Sequence, residues 1–261
     1  MKKTGLLLSI LIPVGFPFLP LVLWSFAEKW FYPSLVPRQF GMRAWDYVFN
    51  TAGSQILGSL STSFFLAVVT AVISLILGVP AGRALGLHDF PGKKLVMLFL
   101  LLPIIVPPLS VAMGLHLWFI KMNLAESFLG VVLIHLTFCL PYTIYVLRGI
   151  FSDYNPDFEA QAQSLGASPR AILFRITLPM ILPGIIVAAL FSFLLSWSQY
   201  LSTLIIGGGK MLTLPILLFS LMASGDRPVA AAVSLVFIFP ALLALTGSAH
   251  YLGRTGLKGI R

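Results

Sequence analysis

The chain has 261 residues, 58% of them hydrophobic and only 10% charged, with a formal net charge of +9. A soluble domain carries roughly a quarter of its residues charged, so the composition excludes one large water-soluble core and points to a polytopic membrane protein. The single cysteine, Cys139, excludes a disulfide framework and a thiolate metal site, and its apolar surroundings predict a reduced, buried thiol.

Runs without charge and near 20 residues long match the length that crosses about 30 Å of hydrocarbon. Six occur: Leu6–Phe26, Ser59–Gly82, Leu95–Ile120, Ser127–Leu147, Leu178–Ile206 and Pro228–Leu252. Lys2 and Lys3 precede the first, and Ser25-Phe26-Ala27 has the small residues of a cleavage site. Its apolar region, however, is longer than the roughly 7–15 residues of a signal peptide and holds three prolines. A retained span is therefore expected. Trp30, Phe31, Tyr32, Trp45 and Tyr47 follow, as an interfacial aromatic belt with room for a short amphipathic helix.

The second span carries Ser59, Ser61, Thr62, Ser63 and Thr70. Gly78, Pro80, Pro103, Pro107, Pro108 and Pro183 mark kinks or helix ends along spans two, three and five. His116 in the third span and His135 in the fourth are the only ionisable side chains well inside spans, and such groups are functional candidates by default. Two histidines and a lone cysteine without a carboxylate make a poor ligand set, so a metal site is not expected. In the fifth span Ser192, Ser196, Gln199 and Thr203 recur at i, i+4, i+7 and i+11, one face of a helix. They are candidates to line a substrate pathway together with His116 and His135; the plain alternative is hydrogen bonding between helices. Trp197 and Tyr200 read as anchors at the outer interface. The uncharged run Met211–Gly225 is too short to cross and contains Pro215, so it reads as a short helix or re-entrant piece on the outer side.

Orientation follows from the distribution of Lys and Arg. With the N-terminus inside, the inner segments hold Lys2, Lys3, Arg83, Lys93, Lys94, Arg148, Arg170, Arg175, Arg254, Lys258 and Arg261, eleven in all. The outer segments hold Lys29, Arg38, Arg43, Lys121, Lys210 and Arg227, six in all. Acidic residues split four and four, so the net charge of +9 divides as +7 and +2. Both termini are expected in the cytoplasm, and the basic excess needs no nucleic acid to explain it.

The stretch 157-DFEAQAQSLGASPRAILFRITLP-179 between spans four and five then faces the cytoplasm. Asn155-Pro156 supplies a cap and a first-turn proline, and Asp157 and Glu159 suit the helix dipole. Phe158, Ala162 and Leu165 form a narrow apolar stripe. Gly166 ends the helix in a left-handed cap, and Ser168-Pro169 starts a second helix that carries Arg170 and Arg175. A pair of short helices broken at a glycine makes a compact knob. It suits a protein groove better than the flat headgroup layer that an interfacial helix would cover.

This loop resembles that of ATP-binding-cassette importer permeases, whose pattern is Glu-Ala-Ala-x-x-x-Gly, nine residues, then Ile-x-Leu-Pro. Gly166 and Ile176-Thr177-Leu178-Pro179 match. Ala160 and Gln161 stand where the family has Glu and Ala, Ala162 fits, and Glu159 stands one residue early. Weaker likenesses are Gly78-Val79-Pro80-Ala81, 102-LPIIVPPLSVAMGL-115, Leu140-Pro141-Tyr142 and 212-LTLP-215, and the nearest subgroup is the polyamine-type permeases and their relatives for small ions and cofactors.

The resemblance implies an all-α, type I importer permease fold of about six transmembrane helices. A first helix with the outer aromatic segment would occupy residues 1–50, a core of five helices 51–255 with the loop at about 150–177, and a tail 256–261. It implies a subunit of an ATP-driven, binding-protein-dependent importer in the bacterial cytoplasmic (inner) membrane, moving a small solute. Its partners would be a cytoplasmic ATPase dimer that binds the ATP and Mg, a second permease subunit (a paralogue rather than a copy) and an extracytoplasmic solute-binding protein. Glu159, Ala162, Leu165, Gly166, Pro169, Arg170, Ile176, Leu178 and Pro179 would carry the coupling to the ATPase. The chain has no G-x-x-x-x-G-K-[ST] phosphate loop, and Gly207-Gly208-Gly209-Lys210 lacks its spacing and its hydroxyl. It is thus expected to be no enzyme itself. The rival reading is a self-sufficient secondary transporter or channel, which predicts charged residues inside spans. An intramembrane enzyme would need a catalytic constellation, and an exporter of the same family would not use this loop spacing.

Overall fold

A chain this apolar satisfies its backbone inside lipid by forming helices, and the computed structural model is helical nearly throughout. It describes residue 13, residues 15–30, residue 34 and residues 36–256. Helix α1 (Phe18–Ser25) leads into a small antiparallel pair, β1 (Ala27–Lys29) and β2 (Gln39–Phe40). A short helix α2 (Arg43–Asp46) follows and continues as a π-helical turn through Thr51. The long helices are α3 (Gly53–Leu87), the pair α4 (Lys93–Ile105) and α5 (Pro108–Lys121), and α6 (Phe128–Ser152). Two short helices, α7 (Asp157–Ser164) and α8 (Pro169–Ile172), precede α9 (Leu178–Trp197), α10 (Leu201–Gly207), α11 (Leu214–Ala223) and α12 (Arg227–Gly256).

Among the described residues, four helical stretches are long and apolar enough to cross a membrane: Gly53–Leu87, Phe128–Ser152, Pro169–Trp197 and Arg227–Arg254. The bent pair α4–α5 makes a fifth if it is one crossing. Residues 6–12 and 14 of the expected first span, Leu6–Phe26, lie outside the described residues, and α1 falls in the described part. Phe31 and Tyr32 of the aromatic segment also lie outside them.

Two spans differ from their reading in the sequence. The third, Leu95–Ile120, is not one rod: α4 and α5 meet at 102°. Pro107 and Pro108 have no N–H to donate, and Val106, the residue before them, is extended (φ −74°, ψ 136°), as the clash with a following proline demands. The fifth, Leu178–Ile206, stops at Trp197 and restarts at Leu201. No proline marks this break. On its two sides Ser198 Oγ donates to the Leu195 carbonyl at 3.2 Å and Thr203 Oγ1 to that of Gln199 at 2.9 Å. The predicted short piece at Met211–Gly225 is α11, with Pro215 in its first turn.

The molecule packs as two compact units, residues 1–62 with 212–242 and residues 63–211 with 243–261. In the first, Trp24 stacks on Trp30 with ring centroids 4.4 Å apart, and the Arg227 guanidinium sits 5.6 Å from the Trp24 ring. Arg43 forks onto Asp226 with bonds of 2.9 and 2.7 Å.

In the second unit, α3 and α6 run parallel at very short range. Gly78, Gly82 and Gly86 recur every fourth residue on α3 and meet Thr143, Leu147 and Phe151, spaced the same way on α6. A Cβ at Gly82 would lie 2.7 Å from Leu147 Cβ and 3.1 Å from the Arg148 backbone nitrogen, so the helices touch backbone to backbone. This is the small-residue packing by which helices associate in lipid, where no hydrophobic effect drives them together. Thr70 and Ser74 continue the buried face, and their hydroxyls have no partner among the described residues. An apolar cluster of Leu66, Val131, Ile134 and Ile206 lies further along, and α9 closes the other side of α6, with Gly184 against Ile150.

Candidate functional site: the loop between two membrane helices

The loop from α6 to α9 folds as its sequence dictates. Asn155 Oδ1 accepts the first free N–H, from Asp157, at 2.9 Å. At the far end of α7, Gly166 takes φ +84°. Its N–H donates to the Gln163 carbonyl at 2.9 Å and that of Ala167 to the Ala162 carbonyl at 3.0 Å. These two bonds close the helix in a Schellman cap, with Ala162 facing Ala167. Ser168 Oγ then accepts the Ala171 N–H at 3.3 Å, and Pro169 opens α8 at its first position. From Pro169 the backbone stays helical to Trp197, passing through a π turn at Leu173–Thr177. That wider turn lies directly before Pro179, which has no N–H for an ordinary helical bond. At about 1.5 Å per residue the 29 residues make a rod of roughly 43 Å, from the knob into the membrane span.

Glu159 locks the knob to the spans. Arg83, near the end of α3, donates Nη1 to Oε1 at 2.8 Å and Nη2 to Oε2 at 2.7 Å. The Tyr154 and Thr177 hydroxyls each donate to Oε1 at 2.7 Å. One carboxylate thus joins the base of α3, the end of α6 and the turn before α9. Its side chain is 17% exposed. The bond from Arg83, helped by the two hydroxyls and opposed by burial, holds the Glu159 carboxyl down at about 2, against an ordinary 4.5. A hollow of about 390 Å³ opens beside this clasp, between Arg83, Gln163 and Pro169.

The other loop residues singled out in the sequence face outward or support the turn. Leu165 is 89% exposed, and Phe158, Leu173 and Phe174 are exposed with it. Arg170 and Pro179 are exposed, while Ile176 and Leu178 are half-buried where the rod enters the unit. Ala160, at the family's glutamate position, is exposed. Arg83, Tyr154 and Thr177 went unrecognised in the sequence. Thr177 lies inside the quoted Ile-Thr-Leu-Pro, and Arg83 is the first base after the second span, weighed there only as a topology charge.

The pathway candidates fall into two sets. His135, Ser192, Ser196 and Thr203 are buried and come together between α6, α9 and α10. His135 Nδ1 lies 2.7 Å from Ser196 Oγ and Nε2 lies 2.8 Å from Thr203 Oγ1, while Ser192 Oγ is 3.1 Å from Thr143 Oγ1. Gln199, half-buried in the break, accepts from the Ser202 hydroxyl at 2.8 Å through Oε1. His116 is half-buried on α5, apart from this group. Because α9 ends at Trp197, the four spaced polar residues do not form one helical face. Cys139 is a free, fully buried thiol, as predicted. Among the described residues no three of His, Cys, Asp and Glu gather as a metal site would need.

Known proteins share this architecture. Residues 78–254 match the family described as binding-protein-dependent transport system inner membrane component. The trehalose transport system permease protein SugB of Mycobacterium tuberculosis is 28% identical over 220 residues, covering 82% of this chain and 79% of that protein. The spermidine/putrescine transport system permease protein PotC of Haemophilus influenzae is 27% identical over 203 residues, 77% of each chain. A chain of a bacterial ABC transporter involved in the import of the acidic polysaccharide alginate superimposes with a TM-score of 0.71. The superposition covers 96% of this chain and 95% of that one at 17% identity, a likeness of fold alone.

Proposed function

We propose a role for this chain from the premise that it belongs to the family of binding-protein-dependent transport system inner membrane components. It is a multi-pass permease component of an ABC importer, and the capped knob at residues 153–177 is the surface on which a separate cytoplasmic ATPase docks. The supporting observation is the clasp at Glu159. A docking knob transmits force only if it is stiff and fixed to the spans it moves, and one carboxylate here ties it to α3 through Arg83 and holds its two ends, at Tyr154 and Thr177, together. Exposed Phe158, Leu165 and Phe174 give a partner apolar contacts, and Arg170 and Arg175 give it charge. In this role Ala160 contributes no ion pair at the family's glutamate position, and Glu159 works inward, on Arg83.

The rest of the assembly follows from the family: an ATPase dimer holding ATP and Mg, a second permease subunit, paralogous rather than identical, and an extracytoplasmic solute-binding protein. The membrane is the bacterial inner membrane, with both termini on the cytoplasmic side as the Lys and Arg count requires. The helices that span it contain no acid in their apolar stretches, which favours a neutral or anionic small solute over a polycation. Gln199 and His116, only half-buried, are the pathway candidates free to meet such a solute.

The reading is tested by mass spectrometry of what co-purifies with the tagged protein in mild detergent from native membranes. Wild type is expected to bring down a P-loop ATPase, and Gly166→Val to lose most of it at unchanged yield of the permease. A Cβ at Gly166 meets nothing within 4 Å, so valine acts only through the left-handed backbone, where a β-branched residue costs about 1–2 kcal/mol. A homo-oligomer free of ATPase across gentle detergents would return the secondary-transporter reading.

A further inference from the structure

The coupling rod described above ends inside the membrane at a break, and one side chain spans it. The last turn of α9 carries Ser196 and the first turn of α10 carries Thr203, with residues 198–200 between the helices. His135, wholly buried on α6, touches both. The protons in this contact can be assigned. Thr203 Oγ1 donates its one proton to the Gln199 carbonyl at 2.9 Å, so at His135 Nε2 the threonine can only accept. Nε2 therefore carries the ring hydrogen, and Nδ1, left with a lone pair, accepts from Ser196. The ring is neutral with both nitrogens occupied, one by each helix.

The ties are unequal on the two sides of the break. Helix α9 is held to α6 a second time by the Ser192–Thr143 hydroxyl pair and a third by the Cys139 thiol, which donates to the Ser192 carbonyl at 3.5 Å. Helix α10 has apolar packing through Ile206 and one backbone bond at its far end, from Glu126 N–H to the Ile206 carbonyl at 2.7 Å. The His135 side chain is hydrogen-bonded to both helices.

We infer that His135 is a positioning residue of the transport cycle, a pin that makes α10 follow α9 when the rod moves. Without it the rod's displacement stops at Trp197. The inference rests on the proposed function for the source of the movement, and on the geometry alone for the pin.

Hydrogen exchange followed by mass spectrometry on the intact transporter in nanodiscs separates the two. At rest, His135→Leu, which keeps bulk and loses both bonds, is expected to speed amide exchange across residues 201–207 about tenfold, with residues 178–192 unchanged. His135→Gln places an amide N–H near the Nε2 position and is expected to restore protection. His135→Asn reaches only the Ser196 side and is expected to fail. With ATP and vanadate, the wild-type change in α9 should extend into α10, and in His135→Leu it should stop at the break. Equal protection of 201–207 in wild type and His135→Leu, or rescue by leucine as good as by glutamine, would overturn the pin. If vanadate changes nothing in wild-type α9, the coupling reading fails, while the resting comparison still decides the role of His135.

Discussion

Glu159→Gln is expected to insert and purify like wild type while retaining about a tenth of the partner ATPase under identical washing. The substitution preserves shape and removes charge. Four donors converge on the two carboxylate oxygens, two from Arg83 and one each from Tyr154 and Thr177. An amide offers one oxygen and presents N–H groups to whichever of these donors meets its nitrogen. Leaving a half-buried guanidinium partly unpaired costs about 1–3 kcal/mol. Arg83 is 36% exposed, so screening by water puts the loss at the low end, and about 1.4 kcal/mol is tenfold in an equilibrium. Arg83→Ala should weaken docking to a similar extent, and the double variant should be little worse than either single one. Additive losses would show that the two residues act on docking separately.

The same group sets a pH window. Its carboxyl is held at about 2 in the fold against an ordinary 4.5, so the folded loop binds fewer protons than the open one. The stabilisation is complete above about pH 5, falls as the pH drops below 4.5 and is gone below about 2. Thermal stability of the purified wild type should decline across that window more steeply than that of Glu159→Gln, which has no carboxyl to titrate at this position. Parallel curves would place the acid sensitivity elsewhere.

The second large effect is expected in the α3–α6 seam. Gly82→Ala adds one methyl group 2.7 Å from Leu147 Cβ and 3.1 Å from backbone atoms of Leu147 and Arg148. A flexible side chain could swing aside, but a helix backbone cannot, so α3 and α6 must separate along several turns. Overpacking of this kind costs about 1–3 kcal/mol, and more where backbone has to move. Most of the variant should be lost from the monodisperse peak at a temperature that leaves wild type intact, read by fluorescence-detected size exclusion. Gly149→Ala on α6 is the control: a methyl there meets nothing within 4 Å, and alanine is the better helix former by about 1 kcal/mol. Equal melting of Gly82→Ala and wild type would mean that the helices are not in backbone contact.

The features legible in the sequence are those set by neighbours in the chain. Asn155, Gly166, Ser168 and Pro169 act within five residues of themselves, and each does in the fold what its type and position predict. Glu159 was legible as a first-turn acid but not as a clasp, because Arg83 lies 76 residues away and nothing local links them. The joint at residues 198–200 was hidden for another reason. No proline or glycine stands in it, and its polar side chains read equally well as one face of an unbroken helix. The spacing of Ser192, Ser196, Gln199 and Thr203 was real, but the straight helix assumed beneath it was not. At Pro107-Pro108 the sequence did announce a break, and the 102° corner is how far proline chemistry takes it.

That corner has a consequence for the bilayer. Proline at positions 103, 107 and 108 withholds the ordinary helical donors from the carbonyls of Phe99, Pro103 and Ile104, while Ile105 and Leu109 beside them are exposed. Bare carbonyls do not tolerate acyl chains. Whatever surrounds the corner must hydrate it or cover it, and if the bent pair is one crossing that need reaches into the membrane. Lipid tails are therefore excluded from a site where the chain, by composition alone, looks most like oil.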